Sequence, residues 1–111
     1  MMKRISLMIA LAVALPAFSA AETWSNVSII DTNCSTKVKA NPDAHTRDCA
    51  LTCAKSGFGI LDKYGNYLKF DANGNVEATK LLQSSTKKDH LRVSVTGERQ
   101  GDIIQVKSLK M

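Results

Sequence analysis

Strict alternation of apolar and polar residues near the end of the chain is the feature that most constrains its fold. In the segment HLRVSVTG the apolar members are Leu91, Val93 and Val95, and the polar members are Arg92, Ser94 and Thr96. A second segment, DIIQVKSL, follows after the turn ERQG. A period of two is typical of strands with one buried face. The sequence therefore predicts a closing hairpin with Leu91, Val93 and Val95 facing a core.

Three further strands and two helical segments are predicted upstream. The first strand covers about Trp24–Ile30, and FGILD and YLKF form a hairpin around the turn KYGN. Between the first two strands the cysteine segment predicts a helix of two to four turns that ends near Ser56. Asn41 or Thr46 would cap it and Gly57 would stop it. A loop of Asp71, Asn73, Gly74 and Asn75 is expected before a short helix, VEATKLLQ.

This order of elements predicts a mainly β fold. It is a five-stranded OB-like barrel with a short helix between strands three and four and an inserted cysteine helix between strands one and two.

The ending VSVTGERQGDIIQVKSL resembles that of small exported OB-like proteins of bacteria, with a V-T-G strand end, a Gly turn and an Ile-rich last strand. The likeness covers most of Trp24–Leu109. The cysteine helix resembles that of a subgroup with one cysteine after the first strand and a C-x3-C helix. The resemblance implies a fold and export, and it implies no particular activity.

The first 21 residues have the features of a secretory signal peptide. Lys3 and Arg4 precede an apolar run over residues 5–15, and Pro16 leads into the small-residue stretch AFSAAE. Cleavage after Ala21 would leave residues 22–111 as one small domain, without a membrane span, in the periplasm or secreted. The mature net charge is two lower than the formal +5 of the whole sequence. This small surplus is not typical of a nucleic-acid-binding protein.

All three cysteines lie close together in the sequence, at Cys34, Cys49 and Cys53. Export favours a disulfide. Side chains four apart on a helix hold their Cβ atoms about 5–6 Å apart, too far for a disulfide between Cys49 and Cys53. We therefore expect Cys34 to pair with one of these two and to leave one thiol over. Which of the two is bonded stays open.

The alternative is a metal site in which His45 joins the three cysteines. The four side chains would bind zinc or copper, and the disulfide interpretation requires no cofactor. If one helix ran through His45, Cys49 and Cys53, its length would hold His45 and Cys53 about 12 Å apart. A shared site therefore requires the helix to begin after His45, with Thr46 as its N-cap. A thiol redox protein is a further alternative, because Arg47 and His45 lie near Cys49.

No nucleophile elbow, phosphate-binding glycine loop or close carboxylate pair is present. The sequence thus favours a non-enzymatic binding or accessory domain with a disulfide from Cys34 to the cysteine helix. Its partner would be a small molecule or an envelope protein rather than nucleic acid. Tyr64, Tyr67 and Arg92 are the candidates for a ligand-binding face.

Overall fold

Five strands and three helices form the part of the chain that the computed structural model describes, residues 20–111. The strands are β1 (Glu22–Asp31), β2 (Phe58–Leu61), β3 (Tyr67–Phe70), β4 (Arg92–Gln100) and β5 (Ile103–Lys110), and the helices are α1 (Ser35–Val38), α2 (Arg47–Thr52) and α3 (Ala72–Ser84). The predicted signal peptide falls almost wholly on residues 1–19, which lie outside the described residues.

The strands form a closed barrel in the order β1-β2-β3-β5-β4. Four of the strand pairs are antiparallel. The pair of β3 and β5 is parallel and consists of Lys69 with Ile103 and Phe70 with Ile104. These features confirm the predicted mainly β fold with a closed five-stranded barrel. In chain order α1 and α2 lie between β1 and β2, and α3 lies between β3 and β4.

The interior of the barrel contains the apolar side chains that alternation predicted. Leu91, Val93 and Val95 are each at most 2% exposed. Complete burial of such side chains contributes about 1.5–3 kcal/mol each relative to exposure. They form one core with residues of the other strands and the helices, namely Ile29, Ala50, Phe58, Ile60, Leu68, Phe70, Ala78, Leu82, Ile104 and Val106. The predicted inward set is confirmed, with Val93 and Val95 in β4 and Leu91 directly before it.

A β-bulge divides β1 into two parts. Trp24 pairs with Val95 and Val27 pairs with Val93, so Ser25 and Asn26 together lie opposite a single residue of β4. Asn26 has a φ of 53°, a left-handed conformation that asparagine tolerates better than most residues. Beyond the bulge, Ser28–Asp31 pairs with β2, and within this part only Ser28 also has a partner in β4. The first part of β1 is therefore joined to β4 alone.

Helix α3 begins earlier than the sequence suggested, because Asp71 caps it. Asp71 Oδ1 accepts hydrogen bonds from the backbone N–H groups of Gly74 and Val106 at 2.9 and 3.2 Å. The expected loop is wrong from Asn73 to Asn75, which are helical. Gly74 serves packing rather than a turn, since a Cβ atom there would lie 2.5 Å from Val106 Cγ2. This close approach explains a glycine in the first turn of a helix.

The cysteine segment is broken into short pieces instead of forming one helix of two to four turns. Helix α2 has six residues and is flanked by 3₁₀ turns at Pro42–Ala44 and Ala54–Ser56. The predicted cap is confirmed, since Thr46 Oγ1 accepts from Cys49 N at 3.2 Å. The predicted helix end near Ser56 is wrong: α2 ends at Thr52, and Gly57, with a φ of 86°, ends the 3₁₀ turn Ala54–Ser56 instead. His45 lies before this cap, so it does not share a helical stripe with Cys49 and Cys53.

Candidate functional site

Asp31 is the centre of a buried polar cluster at the end of β1. Its side chain has no solvent exposure and caps the 3₁₀ turn Thr32–Cys34, with Oδ2 accepting from Cys34 N at 3.0 Å. On its other oxygen, Oδ1 lies 2.7 Å from Nε2 of His45, which is also buried. A buried carboxylate needs such partners, because the loss of its hydration would otherwise be costly. The contact ties the loop before α2 to the end of β1.

Cys34 and Cys53 lie next to this carboxylate. The two sulfur atoms and a carboxylate oxygen of Asp31 all lie within 4.8 Å of one another. Asn33 Nδ2 donates to Cys53 Sγ at 3.5 Å. Partial burial, followed by the Asp31 carboxylate and the Cys53 thiol, raises the pKa of Cys34 to about 11. These surroundings therefore disfavour the thiolate form of Cys34.

The structure brings together only part of the predicted cysteine cluster. No two of the three cysteines lie at disulfide distance in the structure, and Cys49 is exposed while Cys34 and Cys53 are partly buried. His45 contacts the Asp31 carboxylate rather than a sulfur atom of the cysteines. Within residues 20–111, the group with mutual ligand distances consists of Asp31, Cys34 and Cys53. Of the two possible partners for Cys34, Cys53 is thus the neighbour.

Sequence reasoning missed Asp31, although alternation contained a signal for it. Val27 and Ile29 alternate with polar residues in the first strand, and continuing this period of two places Asp31 on the same side as them. Asp31 is also the first of three polar residues that end the strand, so its polarity by itself indicates only a strand end. An aspartate at an inward position, three residues before a cysteine, is a candidate for both burial and capping.

A cleft of about 500 Å³ lies between the start of β1 and the turn that joins β2 to β3. Its lining comprises Glu22, Thr23, Trp24, Ser25, Val27, Asp62, Lys63, Tyr64, Asn66 and Arg99. Tyr64 is 76% exposed, and Lys63 Nζ lies 5.3 Å from the centre of its ring. Trp24 is half-buried and packs against the core. The cleft thus combines two aromatic side chains with charged groups.

The turn that forms one wall of the cleft is held by Asp62. Its Oδ1 atom accepts from the backbone N–H groups of Tyr64 and Asn66 at 2.9 and 2.8 Å. Gly65 supplies the left-handed conformation with a φ of 83°. A second, smaller cleft of about 250 Å³ shares Ser25, Val27, Asp62 and Lys63 with the first and is lined by Arg92.

The three candidates for a ligand-binding face lie in different places. Tyr64 lines the larger cleft and Arg92 the smaller one. The hydroxyl of Tyr67 donates to Ile30 O at 2.9 Å and is 3.0 Å from Thr32 Oγ1. Burial is the main cause that raises the pKa of Tyr67 to about 12. Tyr67 therefore has a structural role next to the Asp31 cluster.

Arg92 is oriented outward as alternation predicted, but it is not an unattached surface residue. Its Nε and Nη2 atoms donate to the two carboxylate oxygens of Asp43 at 3.0 and 2.9 Å. A third bond joins Nη1 to Asn26 O in the bulge at 3.2 Å. Such bidentate geometry makes the pair stronger than an ordinary surface contact. Arg92 holds the cysteine segment against β1 and β4.

Comparisons of the chain with protein-family models, with curated proteins and with solved structures found no match. None of the helices in residues 20–111 has the length and apolarity needed to cross a bilayer.

Proposed function

We propose that this protein is an exported, non-enzymatic binding domain with an OB-like fold. It takes a small molecule in the cleft between β1 and the β2–β3 turn. The barrel order, with α3 between β3 and β4, supports the OB-like assignment. The signal-like segment at residues 1–21 supports delivery to the periplasm or the medium.

The cleft is the observation that carries the proposal. Its volume of about 500 Å³ falls in the range of about 300–1,000 Å³ that is usual for small-molecule sites. Trp24 and Tyr64 offer aromatic faces, and Lys63 and Arg99 contribute cationic groups. A ligand with a planar or sugar-ring face and polar edges fits this chemistry. The bonds of Asp62 hold one wall in place before binding, which lowers the entropic cost of association.

A disulfide between Cys34 and Cys53 completes the proposal. An S–S bond requires the two sulfur atoms to approach to about 2.05 Å, and these two already lie within 4.8 Å. Closing the loop from Cys34 to Cys53, about twenty residues, would add about 3 kcal/mol to the free energy of unfolding in the entropy model. The raised pKa of Cys34 supports a structural role over a redox role, because the thiolate is the reactive form. Cys49 would remain a thiol.

Trp24 is the single tryptophan of the chain, so its fluorescence reports on the cleft directly. Titration with N-acetylated oligosaccharides, and separately with short aromatic peptides, should change this fluorescence for one class of probe.

Tyr64→Ala should weaken the binding about tenfold, or about 1.4 kcal/mol. Val76→Ala is the matched control, since Val76 is also exposed but lies on α3. Equal effects of the two substitutions, or unchanged fluorescence with every probe, would refute the proposed cleft. Binding of the peptides alone would point to an envelope protein as partner.

A further inference from the structure

We infer that Asp31, Cys34 and Cys53 form a binding site for a zinc-class divalent cation when the cysteines are reduced. On a tetrahedral zinc ion, ligand atoms lie about 3.3–3.8 Å apart, given bond lengths of about 2.0–2.3 Å. The three atoms here lie within 4.8 Å of one another, so an approach of at most about 1.0–1.5 Å brings them into range. This ligand set differs from the four-residue set that the sequence suggested, because Asp31 replaces both His45 and Cys49.

The carboxylate of this site is already oriented. His45 Nε2 lies against one oxygen of Asp31, and the backbone N–H of Cys34 donates to the other. Partners of this kind fix a ligand's direction and typically affect metal affinity by about 10–100-fold. Cys53 is oriented by Asn33 Nδ2. His45 is therefore a positioning residue and not a ligand.

The donor set selects the class of cation. Two sulfur ligands with one carboxylate suit zinc and its spectroscopic substitute cobalt, whereas calcium and magnesium take oxygen ligands. Three protein ligands leave the fourth position to water, and the partial exposure of both cysteines gives access from solvent. As each S–H bond breaks and a metal–sulfur bond forms, one proton passes to solvent, two per cation.

The site does not depend on the proposed ligand cleft. A disulfide between the same two sulfur atoms would remove both ligands, so oxidation and metal binding exclude each other. The test therefore uses the fully reduced residues 22–111 without oxygen. Ligand binding in the cleft is measured separately by Trp24 fluorescence, and the disulfide is measured separately by intact mass.

Cobalt(II) added to the reduced protein should give thiolate-to-cobalt charge-transfer absorption that saturates at one ion per chain and disappears when zinc is added. Cys53→Ser should abolish this absorption, and Cys49→Ser, the matched control, should retain it. Absence of the absorption, or its loss in Cys49→Ser, would overturn the site.

A second measurement needs no variant, so it holds even if Cys53→Ser fails to fold. In the wild-type protein, zinc should protect Cys34 and Cys53 from alkylation and leave Cys49 reactive, as peptide mass spectrometry would resolve. Equal protection of all three cysteines, or of none, would contradict the assignment.

Discussion

Nε2 of His45 lies 2.7 Å from Oδ1 of Asp31, and neither side chain is open to solvent by more than a few percent. The contact spans the boundary between the barrel and the cysteine segment. Because the carboxylate also caps the turn that carries Cys34, this one side chain joins β1, that turn and the loop before α2 through two bonds. Loss of the contact between His45 and Asp31 should lower the free energy of unfolding and also disturb the surroundings of Cys34 and Cys53.

His45→Ala should lower the free energy of unfolding by about 1–3 kcal/mol, the usual cost of leaving a buried polar group without a partner. A disulfide from Cys34 to the cysteine helix needs no contribution from His45, whereas the structure shows His45 against the buried Asp31 carboxylate. Urea unfolding followed by circular dichroism measures the effect. His90→Ala is the control, since His90 is exposed; a similar result for both variants would contradict the role of the Asp31 contact.

Replacing Cys34 or Cys53 by serine should lower the free energy of unfolding of air-oxidised protein by about 2–5 kcal/mol. Cys49→Ser should be nearly silent, because Cys49 is exposed and outside the pair. Intact mass under non-reducing conditions should show the loss of two hydrogens in wild type and in Cys49→Ser. The same loss in Cys53→Ser would show that Cys34 pairs with Cys49 instead.

Arg92→Asp should destabilise the protein, because it removes a bidentate bond and places two carboxylates face to face. Alternation alone makes Arg92 an outward polar residue and would predict almost no effect of this change. The hydrogen bonds from Arg92 hold the pKa of Asp43 below its ordinary 3.8. A lowered pKa in the folded state means that the stabilisation is present above that ordinary value and disappears as pH falls through the folded pKa. The difference in unfolding midpoint between wild type and Arg92→Gln should therefore shrink below pH 3.8. A constant difference down to the lowest pH would argue against the pair.

Tyr67→Phe should change how stability depends on alkaline pH. The pKa of Tyr67 is raised from 10 to about 12, so the folded protein keeps the phenol neutral where the unfolded chain ionises it. This contribution is fully present below pH 10 and is lost as pH rises through 12. Wild type should lose on the order of 1–2 kcal/mol more than Tyr67→Phe across this interval, allowing for partial solvent screening. Parallel stability curves for the two proteins would exclude a buried, bonded phenol.

Gly74→Ala should destabilise the protein by about 1–3 kcal/mol, the usual cost of overpacking, although alanine is normally the better helix former. The new Cβ would lie 2.5 Å from Val106 Cγ2 and 2.8 Å from Phe70 Cβ. In a protein that already carries Val106→Ala, Gly74→Ala should lower the free energy of unfolding by less than it does in wild type. Additive effects of the two changes would contradict the contact.

Strand positions were predictable where a local pattern coincides with burial, as it does for Leu91, Val93 and Val95. The start of α3 could not be predicted from the sequence, because Asn73 and Gly74 favour turns. Their role in the helix depends on the approach of Val106 from a distant strand. The breaks in the cysteine segment depend on bonds to remote residues, such as Arg47 N to Lys88 O at 2.8 Å. Local periodicity contains no information about such partners.

The parallel pair of β3 and β5 indicates the order in which the parts of the barrel form during synthesis. Asp71 bonds both to the first turn of α3 and to Val106 of β5, immediately after the short pair that closes the barrel. Strand β5 follows α3 and β4 in the chain, so during synthesis the helix cap lacks its second partner until β5 is present. The helix cap, the last strand and barrel closure should then form together, and a chain that ends before Ile103 should have neither a closed barrel nor a fixed α3.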